Sequence, residues 1–388
     1  MLILYLNYFT RKLIAMIYLD YAANTPVDDS VLETYIEISK KYIANPNSPH
    51  ALGKAALEEL NKATRLMAQL LGVKENELIY TSGATESNNL AIKGIAGQYK
   101  KYGHHIITTP LEHSSVSGAV AYLQSKGFDI DYVDIDKNGL VDLDSLKELI
   151  RDDTILVSIC MVDSEVGIKQ HISEIAPIIA DKPHCYFHID ATQAVGKIKV
   201  PLDGVDLMTF APHKFYGPNG FGVLFKRENV LLEPLINGGI STTEFRSGTP
   251  VLPLIVSTAK ALSIAFEKME ERYNYVSELN RTLRDALAQY PKVKINSTDE
   301  SIPFILNLSI FGAKAEEFQA ALSDNGICLS TKSACCAPGT LSRPVYALTK
   351  DRKAALSTLR ISLSHLTTND DINTFLACFD AIYNKLVK

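Results

Sequence analysis

The sequence predicts an α/β protein, with a large mainly parallel sheet wrapped by helices and a smaller α+β domain beside it. Three observations carry this expectation. Short apolar runs with strand character alternate with helical patterns up to about residue 250, as they do where helices cross over between parallel strands. Beyond that point the alternation stops and a long helical pattern takes over. The chain has 388 residues, 46% apolar and 21% charged, enough for one large core and a second smaller one.

Taken in order, the start MLILYLNYFTRKLIAM is apolar, but its basic residues Arg11 and Lys12 follow the apolar run instead of preceding it. That is the wrong order for a signal peptide, and the run is too short to span a bilayer. Residues 1–16 are therefore read as an N-terminal extension, either an extra strand or turn or a stretch upstream of a true start at Met16. From Leu52 to Leu71 apolar residues recur at helical spacing and end at Gly72. ELIYTS (77–82) reads as a strand, GAT as a tight turn, and Glu86 to Gln98 as a helix with Leu90, Ala91, Gly94 and Ile95 on one face. HIITT (105–109), DIDYVDI (129–135), TILVSICMV (154–162), CYFHID (185–190), DLMTFA (206–211) and FGVLFK (221–226) follow as strands. Helical patterns at 114–126 and 143–151 separate several of them. A single long helix is expected over 253–290, then a strand at 305–310, a helix at 315–324, a cysteine-bearing loop, a strand at 358–364 and a closing helix.

A formal charge of −5 gives no electrostatic case for binding nucleic acid or an anionic membrane. The six cysteines, Cys160, Cys185, Cys328, Cys335, Cys336 and Cys378, form no CxxC pair, so neither a zinc site nor a thioredoxin-like dithiol is indicated. Reduced thiols in a cytoplasm fit this usage best. Two of the cysteines are adjacent in STKSACCAPG (330–339), among small residues that would not bury them.

In α/β sheets ligands gather at the carboxyl ends of strands, and three strand ends carry unusual polar residues. In TSGATESNN (81–89) a strand runs through Gly83 into a helix. That is either an ordinary turn or an anion site made of free backbone N–H groups, with the Thr85 hydroxyl beside it. In HIDATQAVG, Asp190 closes an apolar strand, where it either caps a helix or holds a cation such as a protonated pyridine nitrogen. In APHKFYGPNGFG, Lys214 follows a strand and precedes a Gly/Pro-rich turn, as a surface lysine or as one able to form a Schiff base. An anion site, an acid and a lysine together are what pyridoxal phosphate requires, for its phosphate, ring nitrogen and aldehyde in turn.

With these residues in view, the chain resembles the cysteine desulfurases of the NifS/IscS type, within the class V group of fold-type I pyridoxal phosphate enzymes. The resemblance runs from Ile17 onward through IYLDYAANTPV, ANPNSPH, TSGATESNNLAIKG, LEHSSV, DATQAVGK, PHKFYGPNGFG, FRSGT, SAC and LRISL, in the family's order and separations. It implies a pyridoxal phosphate-binding domain at 31–259 and a smaller domain at 17–30 and 260–388 that carries the cysteine loop. It also implies a role for each matching residue. Lys214 bonds the cofactor's aldehyde and shuttles protons, Asp190 pairs with the pyridinium, and Gln193 hydrogen-bonds the phenolic oxygen. His113 stacks on the ring, and Ala84, Thr85 and His213 hold the phosphate. Thr249 reaches the phosphate of a neighbouring subunit, which implies a homodimer. Arg360 forks the substrate carboxylate, with Ser164 beside it. Cys335 takes sulfur from L-cysteine as a persulfide, leaving alanine, and passes it to a protein acceptor for iron–sulfur cluster assembly or for tRNA or cofactor thiolation. Cys336 has no role in the pattern.

Three positions depart from the family. VDSEVG has Ser164 where an asparagine is usual and puts the acidic Asp163 nearby. Ala211-Pro212 replaces a Ser-Gly, removing one hydroxyl from the phosphate's surroundings. His365 stands where an arginine is common. These departures keep open a related pyridoxal phosphate chemistry (aminotransferase, epimerase, or selenocysteine or cysteine-sulfinate lyase), and a non-catalytic scaffold is the remaining alternative. The SAC loop argues against transamination, which needs no thiol there.

Overall fold

A computed structural model describes residues 16–333 and 339–387; Cys335, Cys336 and the extension before Met16 lie outside the described residues. The strands are β1 (Ile17–Tyr18), β2 (Leu78–Thr81), β3 (His105–Thr108), β4 (Asp129–Tyr132), β5 (Thr154–Cys160), β6 (Tyr186–Asp190), β7 (Leu207–Phe210), β8 (Gly222–Lys226), β9 (Val293–Ile295), β10 (Ile305–Ile310), β11 (Ile327–Cys328) and β12 (Thr358–Ser362). Seven of them form one sheet in the order β2-β8-β7-β6-β5-β3-β4. The run from β7 to β4 is parallel, and β8 lies antiparallel between β7 and β2. The sheet is therefore mainly parallel, as the alternating pattern predicts. β3, β5, β7 and β8 are buried at every residue, which is why they read as unbroken apolar runs and not as alternation.

The second region is built on β12-β10-β9, antiparallel throughout, with β1 paired to β11 alongside. Short strands such as β1, β9 and β11 give no period for a sequence to reveal. The ends of the chain meet here: Ala22 donates its N–H to Ser362 Oγ at 2.9 Å.

Two expectations are corrected. The long helix over 253–290 is two helices, Leu252–Glu267 and Met269–Leu287, broken at Lys268, whose φ of −102° and ψ of 10° leave the helical region. The first packs on the helices Asp29–Lys41 and Ala51–Leu71, and the second on β9, β10 and the closing helix Asn369–Leu386, so one straight rod cannot serve both. The segment from Cys335 to Leu356, expected as a long loop, carries the helices Arg343–Thr349 and Arg352–Leu356. Ser342 and Asp351 cap them, and Val345, Ala354 and Ala355 bury against Val166 and Ile168. Among the described residues no helix is long and apolar enough to cross a membrane.

Candidate active site

At the carboxyl edge of the large sheet lies a cavity of about 330 Å³. Ala84, Thr85, His113, Ser164, Asp190, Gln193, His213, Lys214 and Arg360 all line it, so nine of the sequence-predicted residues converge. Thr249 does not. It lines a neighbouring hollow of about 110 Å³ with Ser82, Arg246 and Gly248. Cys335 lies outside the described residues, but Ser333, two positions before it, is on the cavity wall.

The turn after β2 leaves backbone N–H groups open toward the cavity, as an anion site would require. The helix Ala84–Tyr99 starts at Gly83, and its first intrahelical bond runs from Ser87 N to Gly83 O at 3.1 Å. The N–H groups of Ala84, Thr85 and Glu86 thus have no acceptor among the described residues and stand at the positive end of the helix. β8 passes so close to this turn that a Cβ on Gly222 would lie 2.4 Å from the carbonyl carbon of Gly83. Gly222 therefore shapes this turn as well as the sheet. Arg246 closes the side of the turn by pairing with Glu86 at 2.9 Å, and that carboxylate also accepts from Ser82 N at 2.7 Å.

Asp190 ends β6, 5% exposed. Its Oδ1 accepts from Thr192 N at 3.0 Å and its Oδ2 from Asn88 Nδ2 at 2.8 Å. It caps the local turn and lines the cavity. Asn88 also donates to Ser115 Oγ at 2.8 Å, and that hydroxyl lies 2.8 Å from His113 Nδ1. The carboxylate and the imidazole are therefore tied through Asn88 and Ser115. Sequence reasoning assigned neither residue, although Asn88 lies within the quoted TSGATESNN. The Ser115 N–H donates to His113 Nδ1 at 3.2 Å, so Nδ1 is an acceptor and the neutral ring carries its proton on Nε2. Burial lowers the His113 pKa, with the positive charge of Lys214 adding to it. His213 is pushed down to about 4, by burial first and then by Lys214 and Lys197.

Lys214 ends the short 3₁₀ turn Pro212–Lys214 after β7, where Pro212 starts the turn. Its Nζ donates to the carbonyls of Ala22 at 2.7 Å and Ala23 at 2.6 Å. Gln193 Nε2 donates to the same Ala22 oxygen at 2.9 Å. Thr25 N and Oγ1 each donate to His213 O at 3.0 Å and fix this N-terminal stretch against the lysine's turn.

Arg360, on β12, is 1% exposed. Its Nη2 donates to Asp20 Oδ1 at 2.8 Å, its Nη1 to the Ser164 carbonyl at 2.8 Å, and its buried Nε has no partner among the described residues. Ser164 thus meets Arg360 through its backbone. Asp163, which the sequence puts near this site, lines the cavity and is also bound into its own turn. Its carboxylate accepts from Glu165 N at 2.8 Å, Val166 N at 3.0 Å and Ile168 N at 3.0 Å, holding the turn together. Burial raises its pKa to about 6.

The wall nearest the cysteine segment holds two further buried acids. Glu165 accepts from Ser333 N at 3.1 Å and from Ser342 Oγ at 2.6 Å, so it touches the segment carrying Cys335 on both sides of it. Glu112 accepts from Thr109 Oγ1 and Cys160 N, both at 2.7 Å, and burial raises its pKa to about 8. Both acids lie inside or beside quoted motifs, but nothing local distinguishes them from ordinary surface glutamates.

Comparison with known proteins agrees with this geometry. The model of the Aminotransferase class-V family matches residues 17–375. A "NifS/IcsS protein homolog" of Lactobacillus delbrueckii subsp. bulgaricus is 37% identical over 379 residues, which are 96% of this chain and 98% of that protein. A protein named "Cysteine desulfurase IscS" from Methanosarcina thermophila is 35% identical over 95% of this chain and 92% of its own. Among solved structures, a "NIFS-LIKE PROTEIN" superposes with a TM-score of 0.90 at 36% identity, over 96% of this chain and 100% of that one. The convergent cavity, the sheet order and these relatives lead to one conclusion: the chain belongs to the class V aminotransferase family.

Proposed function

We propose that the protein is a cysteine desulfurase that uses pyridoxal phosphate to take sulfur from L-cysteine, releasing L-alanine and leaving a persulfide on Cys335. The observation that carries this reading is one cavity lined by Lys214, Asp190, Gln193, His113, His213 and Arg360, with Ser333 of the cysteine-bearing segment on its wall. The relatives at 35–37% identity that are named cysteine desulfurase or NifS homolog agree with it.

The donor set fits the cofactor. Three unpartnered first-turn N–H groups suit a phosphate, a buried carboxylate suits a pyridinium, and a lysine held between two carbonyls suits an aldehyde. When bound, pyridoxal phosphate supplies an electron sink for the charge left on the substrate's α-carbon. The protein does the rest. Asp190, oriented by Asn88 and Thr192, holds a positive charge at the ring nitrogen. His113 presents a neutral ring with its proton on Nε2. Lys214 moves the α-proton from its seat above the Ala22 and Ala23 carbonyls. Arg360, neutralised in part by Asp20, receives the substrate carboxylate. The Cys335 thiolate attacks the substrate sulfur, the C–S bond breaks, and the carbon takes up a proton to become alanine's methyl group.

We further propose a homodimer in which Thr249 serves the partner's site. The exposed apolar side chains Ile43, Leu52 and Ile240 support an interface, and Asn47 Nδ2 to Ser241 Oγ at 2.7 Å brings their two segments together. The persulfide's acceptor would be a protein of iron–sulfur assembly or of thiolation, in a reducing cytoplasm where the free Cys160, Cys185, Cys328 and Cys378 persist.

The test is to incubate the cofactor-loaded protein with L-cysteine and measure alanine and the persulfide by mass, for the wild type, Cys335→Ala and Cys336→Ala. Alanine and a persulfide lost only in Cys335→Ala are expected. A loaded protein that makes no alanine from cysteine would overturn the reading.

A further inference from the structure

Lys197 is buried beneath the cavity floor and has no role in the mechanism above. It lies in the turn after β6, 8% exposed, with its ammonium 5.9 Å from the Phe304 ring centroid. Its Nζ makes one side-chain hydrogen bond, to Gln193 Oε1 at 2.7 Å. Among the described residues the charged groups acting on it are Lys214 and Arg360, both positive, and no carboxylate is among them. A buried lysine without a counter-ion is costly, and its single bond goes to a residue that faces the site.

We propose that Lys197 is a positioning residue: it fixes the Gln193 carboxamide with its oxygen turned away from the cavity, so that Gln193 can only donate toward a bound cofactor's ring oxygen. This rests on the pyridoxal phosphate reading above. An ammonium only donates, so the atom facing it is the oxygen, and the Ala22 carbonyl only accepts, so the atom facing it is the nitrogen. The two partners dictate the same orientation. Ala22 O is weaker as a constraint, because it already accepts from Lys214 Nζ at 2.7 Å. With Oε1 filled by Lys197 and one N–H given to Ala22, one N–H of Gln193 remains for the cavity it lines. Burial, together with Lys214 and Arg360, brings the Lys197 pKa down to about 7, so the donor-only constraint holds fully below that pH and relaxes above it.

The test reads the visible band of the pyridoxal phosphate-loaded protein as pH is varied. A donor beside an oxygen that carries negative charge favours the form with fewer protons and holds the band's midpoint low. Lys197→Met frees the carboxamide to turn its oxygen inward, and the midpoint is expected to rise by about one pH unit. In a Gln193→Leu background the same substitution should shift it by much less, because the effect runs through Gln193. Lys197→Arg, which still only donates, should keep the midpoint near that of the wild type.

An unchanged midpoint in Lys197→Met overturns the inference. So does a shift that persists in full without Gln193, which would make Lys197 a charge acting at a distance. If Lys197→Met does not fold, Lys197→Gln, which can present either end of an amide, is held to the same two expectations. A wild type that forms no visible band with pyridoxal phosphate would instead overturn the cofactor reading itself, and the inference with it.

Discussion

Removing Asp20 tests the pairing that holds Arg360 in place. Both partners are largely withdrawn from water, with side-chain exposures of 2% for Arg360 and 19% for Asp20, and they meet at 2.8 Å. At an effective dielectric constant near 20, unit charges about 4 Å apart attract by about 4 kcal/mol. Part of that repays the desolvation of the two groups, so the pair's net worth is smaller than this figure. The cost of breaking it is not small, because Asp20→Ala strands a guanidinium whose Nε already lacks a partner among the described residues. It also takes the acceptor from Ser330 Oγ, now 2.8 Å from Asp20 Oδ2. The expected loss of stability is about 3 kcal/mol. Asp20→Asn keeps an acceptor and loses only the charge, and should cost about 1.5 kcal/mol. Denaturant unfolding followed by far-UV circular dichroism measures both. In an Arg360→Met background, where no charge is left stranded, Asp20→Ala should cost much less. A loss that is the same in both backgrounds, or one below about 0.5 kcal/mol in the wild-type background, would refute the reasoning.

Three further outcomes are expected. Glu112 is held neutral, its pKa raised to about 8; the folded state then loses stability, relative to Glu112→Gln, as pH rises from the ordinary carboxylate range toward 8, and parallel stability curves for the two proteins would contradict this. Gly222→Ala forces β8 away from Gly83, and should cost about 1–3 kcal/mol and weaken cofactor binding, as read by fluorescence titration with pyridoxal phosphate. Glu165→Ala releases Ser333 and Ser342, and should slow persulfide formation by about tenfold or more while leaving the visible band of the loaded protein intact; a loss of that band would mean that Glu165 acts on the cofactor's surroundings instead.

The features legible in the sequence are the local ones. The turn after β2, Asp190 at the end of β6 and Lys214 after β7 each sit at a strand's end, and each is announced there by Gly, Pro or a lone polar residue. What was hidden depends on contacts between distant segments. Asn88 and Asp190 are 102 residues apart, and no periodicity in the helix Ala84–Tyr99 marks Asn88 instead of its neighbour Asn89 as the aspartate's partner. Asp163 reads as a charge near the substrate until the turn's three N–H groups are seen to take up its oxygens. The break at Lys268 is hidden for a different reason: apolar spacing continues across a single non-helical residue, and only the change of packing partner reveals it.

The cavity floor is built from the two ends of the chain. Asp20 binds Arg360 across 340 residues, Ala22 meets Ser362 across the same span, and Ala22 and Ala23 supply the carbonyls that seat Lys214. A ribosome delivers these parts 340 residues apart. The large sheet is complete once β8 has emerged, well over a hundred residues before Arg360, but at that point Ala22 still lacks Ser362 and Asp20 still lacks Arg360. The nascent protein can therefore present a finished sheet while lacking a finished cavity.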